Sequence, residues 1–119
     1  MEPANEGFVA ATAPAKEEDV RACMTAIREM IEMGRSAGAK VIVAQHLERE
    51  EKPGSPLPGH EEIKAEVTKD GLTPVELGKA YEAARAKGEQ PYRDAIHPNP
   101  VGQRVMADSL VKAIEEVVK

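Results

Sequence analysis

Between residues 93 and 110 the chain reads RDAIHPNPVGQRVMADSL. Asp94 stands three positions before His97, close enough for its carboxylate to reach the imidazole across one turn. In such a pair the carboxylate accepts a hydrogen bond from one ring nitrogen, fixes the tautomer and stabilises the imidazolium. The other ring nitrogen then works as a general base. Histidine suits the task because its ordinary pKa, about 6.5, lies close to neutral pH. Pro98 stiffens the chain leaving His97, and Asn99 followed by Pro100 is a helix cap with proline at the first helical position. A helix starting there is a rigid platform for the histidine. Taken alone the D-x-x-H spacing is a weak pattern, met equally by an aspartate and a histidine on an ordinary surface turn.

The elements that must position this loop are legible from periodicity. Residues 1 to 16, with two prolines and a glycine, read as loop. From 17 to 37 a helical stripe of Val20, Met24, Ile27 and Ile31 recurs, widened by Cys23 and Met30, and Gly38 follows as its cap. Cys23 sits in that pattern as a small core residue; a reactive thiol would need an electropositive, exposed setting. Val41 to Ala44 is a short β-branched run that predicts a strand covered on both faces, as inside a parallel sheet. Helix, glycine, then buried strand make the second half of a βαβ unit. Residues 46 to 71 form a long polar connection, with a helical turn or two around 61 to 67. Thr73, Pro74 and Glu76 predict a helix start, running to about Lys87 and ending at Gly88. The last helix follows Asn99 and turns Val105, Met106, Leu110, Ala113, Ile114 and Val117 inward.

One apolar strand leaves backbone groups on its edges without partners. Residues 7 to 13, GFVAATA, supply one more strand at most, so the chain reads as a partial α/β domain spanning 1 to 119. Its 119 residues have the length of one small domain, and 41% hydrophobic with 31% charged residues is a globular balance. With no Trp, one Phe and two Tyr, the core is expected to be aliphatic and Met-filled. A net charge of −5 argues against nucleic acid or an anionic membrane as the main partner. A single cysteine excludes an internal disulfide. No apolar stretch reaches the length of a membrane span and no basic-then-apolar leader opens the chain, which as given reads as soluble and cytoplasmic.

The longer string DAIHPNPVGQRVMADSLVKAI resembles the C-terminal motif of the SGNH (GDSL-type) hydrolases: Asp94, His97, Pro98, Asn99 and Gly102, then Ala107 and Leu110 on a terminal helix. The match is tight over 94 to 110. At the level of element order it extends over about 17 to 118, with AGAKVIVA as a penultimate parallel strand. The resemblance implies a flavodoxin-like three-layer parallel-sheet domain whose N-terminal strands lie outside these residues. It also implies Asp94 and His97 as the acid and base of a Ser-His-Asp triad acting on acyl or acetyl esters of small-molecule, carbohydrate or lipid alcohols, with no cofactor and no metal.

Two parts of the family pattern depart. The nucleophilic serine belongs in a Gly-Asp-Ser motif after the first strand, and neither that motif nor the family's oxyanion-binding glycine has a counterpart here. Ser36 closes a helix, Ser55 lies in PGSPLPG and Ser109 is inside the last helix; none has the strand-turn-helix setting of a nucleophile. The family's Gly-x-Asn-Asp motif is answered only by EPANEG, where Asn5 is the candidate oxyanion donor, with Pro3 and Glu6 in place of the glycine and the aspartate. The chain therefore carries base and orienter without nucleophile, and is expected to be inactive on esters alone.

Other readings stay open. His46, His60, His97 and Asp94 have spacings that match no compact metal-ligand pattern. His46, just past the strand, faces the active-site edge of an α/β sheet or is a plain loop histidine. His60 is expected to be solvated. A non-catalytic fragment, or an interaction module docking on another chain such as an upstream half-domain, accounts equally for the unpartnered strand edge and the Met-rich first helix.

Overall fold

The computed structural model describes residues 16–119. In chain order they form α1 (Glu17–Ser36), β1 (Ala44–Gln45), α2 (Pro58–Lys69), β2 (Val75–Glu76), α3 (Leu77–Ala86) and α4 (Pro100–Val117). The described chain is mixed α/β, mostly helical, around a small parallel sheet. Ala44 lies opposite Val75 and Gln45 opposite Glu76, and Val75 N–H donates to Val43 O at 2.8 Å. Parallel strands need a long crossover, and α2 lies within the one that joins β1 to β2.

Local chemistry explains most helix ends. Glu17, Glu18 and Asp19 place negative charge at the N-terminus of α1, where the helix dipole favours it. Gly38 and Gly88 follow α1 and α3 with φ of 82° and 88°, the left-handed turn in which glycine carries no Cβ penalty. The Asn99 side chain accepts from Gly102 N–H at 3.0 Å, so the expected cap of α4 is made.

Elsewhere tertiary contacts override local signals. Thr73 and Pro74 do not open a helix: Val75 and Glu76 pair with β1, and α3 begins only at Leu77. Backbone partners on the β1 edge outweigh the local capping preference, which is a weak term. The run from 41 to 44 is not covered on both faces, since Ala44 is exposed and Val41, Ile42 and Val43 are half-buried. Among the described residues the sheet is one pair of two-residue strands, so Val41 to Val43 lead into it rather than forming a buried strand. The polar connection holds a longer helix than expected; α2 starts at Pro58 and fully buries Val67. Cys23 is exposed rather than in the core. The candidate strand at 7 to 13 lies outside the described residues.

The core is not purely aliphatic either. Leu77, Tyr81 and Tyr92 form its centre, with Val75, Val105 and Met106 packed against it. Both tyrosines are thus committed to the interior, their rings 5.2 Å apart and edge-to-face, a geometry aromatic pairs favour. The Tyr92 hydroxyl donates to Leu47 O, tying this core to the chain just after β1. Among the described residues no helix is long and apolar enough to cross a membrane.

Candidate active site

The segment between α3 and α4 is a small, closed hairpin. Tyr92 bridges Pro98 in antiparallel fashion. Arg93 N–H donates to His97 O at 2.8 Å and Asn99 N–H donates to Pro91 O at 3.0 Å. The Asn99 amide group also donates to Gln90 O at 2.6 Å, so one side chain both caps α4 and closes the loop. Asp94 and His97 stand inside this hairpin.

Asp94 is 3% exposed. Its Oδ1 accepts from Ile96 N–H at 2.9 Å and from His97 N–H at 2.7 Å. His97 Nδ1 lies 2.8 Å from Oδ2 and 3.0 Å from Oδ1, and the His97 side chain is 43% exposed. The Arg93 guanidinium stands 4.0 Å from Oδ2. Burial pushes the Asp94 carboxyl up, but the two backbone amides and the imidazole outweigh it and hold it down at about 2. An ionised carboxylate can only accept, so the proton of the neutral imidazole sits on Nδ1 and Nε2 is its basic nitrogen. The pair has the chemistry of an oriented general base.

That depressed pKa makes a prediction about acid stability. Because Asp94 ionises more readily folded than unfolded, its contribution is complete above its ordinary 3.8 and is lost as the pH falls towards about 2. Urea midpoints measured from pH 5 to pH 2 are expected to fall less steeply for Asp94→Asn than for the wild type. Parallel curves would show that the carboxylate is not held as described.

The sheet side supports the hairpin from below. Arg49 N–H donates to Ala95 O at 2.8 Å, and Arg85 donates to Arg49 O at 2.8 Å while its guanidinium lies 5.2 Å from the Tyr92 ring centre. His46 is half-buried; its Nε2 is 2.5 Å from Ile96 O and its Nδ1 is 3.2 Å from the Tyr81 hydroxyl. It belongs to the loop's support, a role that no sequence spacing signals because its partner lies fifty positions on.

A second carboxylate–imidazole pair was not anticipated. Glu51, within the charge run EREEK, is 8% exposed. It accepts from Glu48 N–H at 2.9 Å, from Leu57 N–H at 2.5 Å and from His60 Nδ1 at 2.8 Å. Burial raises its carboxyl, but His60 and the two amides bring it below the usual range. His60 is therefore half-buried and paired rather than solvated, and the pair closes the connection from β1 to α2.

The remaining candidates lie apart from this chemistry. Ser36 ends α1, Ser55 pairs with Lys52 in the β1–α2 connection, and Ser109 donates to Val105 O at 2.9 Å within α4. Asn5 lies outside the described residues. A shallow depression lined by Glu29, Glu32, Met33, Ser36 and Ala37 runs along α1, on a different element from the hairpin. Among the described residues no cluster of three or more His, Cys, Asp or Glu side chains could hold a metal ion. Set against known proteins, the chain matches no family model, and no curated protein and no solved structure is significantly similar to it.

Proposed function

We propose that this chain supplies the acid–base half of a Ser-His-Asp ester hydrolase of SGNH type, with His97 as general base and Asp94 as its orienter. One observation carries the reading: a buried carboxylate that takes two backbone amides also grips His97 Nδ1 with both oxygens. The Glu51–His60 pair is enclosed in the same way. What sets Asp94–His97 apart is the more exposed imidazole, 43% against 28%, and its place in the DAIHPNPVG string ahead of the last helix. The parallel pairing of β1 with β2 across α2 supports a place in a larger, flavodoxin-like three-layer sheet, whose further strands would add on the other edge of β1.

In this scheme a serine Oγ from outside these residues attacks the acyl carbonyl and its proton passes to His97 Nε2. Asp94 stabilises the imidazolium, which then protonates the departing alcohol; water repeats the sequence on the acyl-enzyme. Asn5 is the candidate oxyanion donor. Substrates are acyl or acetyl esters of small-molecule, carbohydrate or lipid alcohols, and the chemistry needs no cofactor.

Turnover of p-nitrophenyl acetate is expected to be negligible for this chain alone. It should appear when an upstream half-domain bearing Gly-Asp-Ser is supplied, and disappear again with His97→Ala. Restored turnover that survives His97→Ala would defeat the assignment. A second reading, a non-catalytic module that docks on another chain, draws on the exposed apolar residues Met30 and Met33 of α1 and Val111 and Ile114 of α4. In that case the upstream half binds without creating any turnover.

A further inference from the structure

We infer that His46 is a positioning residue for the Asp94–His97 pair, acting through the peptide group that joins Ile96 to His97. The inference rests on the acid–base reading of that pair and adds a residue to it.

That one peptide is held from both sides. Its carbonyl oxygen accepts from His46 Nε2 at 2.5 Å, and its N–H donates to Asp94 Oδ1 at 2.7 Å. A peptide group is planar, so two grips at opposite edges fix its rotation as a unit. The Cα–Cβ bond of His97 leaves from this plane. With the carbonyl released, the plane can turn about its flanking Cα atoms and carry the His97 N–H off Oδ1. The imidazole moves with it, and the Asp94 carboxylate loses donors on which its ionised state depends.

His46 is itself held in the form this task requires. A carbonyl oxygen can only accept, so Nε2 must carry a proton and Nδ1 of the neutral ring must accept. The Tyr81 hydroxyl, 3.2 Å from Nδ1, is the matching donor. Tyr81 is 1% exposed and burial pushes its pKa up, so the phenol keeps its proton. The Tyr81 ring stands edge-on to His46 with centres 5.4 Å apart, and Tyr92 packs at 5.6 Å. The loop is anchored in the core at its start by Pro91 and Tyr92, and His46 carries that rigidity on to the Ile96–His97 peptide at its far side.

A space-filling role alone predicts that any ring of similar size would serve. The donor role predicts otherwise. Glutamine places an amide N–H three bonds from Cβ, as Nε2 is, whereas phenylalanine keeps a ring and has no donor. The readout is the downfield His97 Nδ1–H resonance of the full chain in cold water, identified by its loss in His97→Ala. It should persist in His46→Gln and exchange about tenfold faster, or broaden away, in His46→Phe, the cost of one buried hydrogen bond. If His46→Phe fails to fold, His46→Asn, whose amide is one bond too short for Ile96 O, is measured in its place with the same two outcomes. Exchange within about twofold of wild type in the donor-less variant would overturn the inference. Asp94→Asn separates the two levels: if it leaves the resonance intact, the acid–base reading itself falls. If it removes the resonance while His46→Phe does not, only the role of His46 falls.

Discussion

Gly102→Ala is expected to destabilise the chain by roughly 3 kcal/mol, the upper end of ordinary overpacking costs. A Cβ at this position would lie 2.1 Å from Pro91 O, 2.9 Å from Pro98 Cβ and 3.1 Å from Pro91 C. Two of these are backbone atoms and the third belongs to a proline ring, so no flexible side chain can swing aside. Pro91 O is already committed to Asn99 N–H, and Pro98 bridges Tyr92. Either the hairpin opens or the first turn of α4 lifts, and both outcomes break the closure at Pro91, Pro98 and Asn99 that frames Asp94 and His97. Helix propensity works in the opposite direction, because alanine in a helix is favoured over glycine by about 1 kcal/mol. The clash is the larger effect, so the sign should be destabilising. Gly59→Ala, at the second residue of α2 with nothing within 4 Å of its Cβ, is the control and should gain roughly 0.5–1 kcal/mol. Urea denaturation of the three proteins at pH 7 decides the matter; an alanine at 102 as stable as glycine would mean that the close approach of α4 to Pro91 is not real.

The same stretch shows why some of the structure was legible in the chain and the rest was not. Asp94, His97, Asn99 and Gly102 interact across three positions at a time, so a turn and a cap are enough to bring them together. Gly38 and Gly88 ended helices for an equally local reason. What was misread depends on partners far away in sequence. Val75 and Glu76 carry a good helix-start signal, yet a strand thirty-one positions earlier supplies the backbone partner that decides their conformation. Glu51 looks like one more solvated acid in a charge run until Leu57 N–H and His60 close around it. His46 and the tyrosines show the same limit, because their value lies in the contacts with Ile96 O and Leu47 O, not in any periodicity. Asn5 and residues 7 to 13 belong to the undescribed part of the chain.

In an assembly that contains the serine, Asp94→Asn is expected to lower kcat by about ten-thousandfold with KM nearly unchanged, the size of effect seen when a triad carboxylate is replaced by its amide. Asparagine has nearly the same shape. Its side-chain oxygen can still accept from the amides of Ile96 and His97, so the hairpin should keep its course. The difference falls on the group facing His97 Nδ1, now 2.8 Å from Asp94 Oδ2. An amide nitrogen there donates instead of accepting, and the imidazole must turn its lone pair towards it. Nε2 then carries the proton and cannot take another from the serine, while the imidazolium also loses its stabilising charge. Ground-state binding of the ester involves neither change, which is why KM should hold. Acylation by p-nitrophenyl acetate under single-turnover conditions isolates this step from deacylation. A loss below about tenfold would mean that His97 does not depend on Asp94 for its protonation state, and the buried carboxylate would then be only a loop lock, as Glu51 is for the connection before α2.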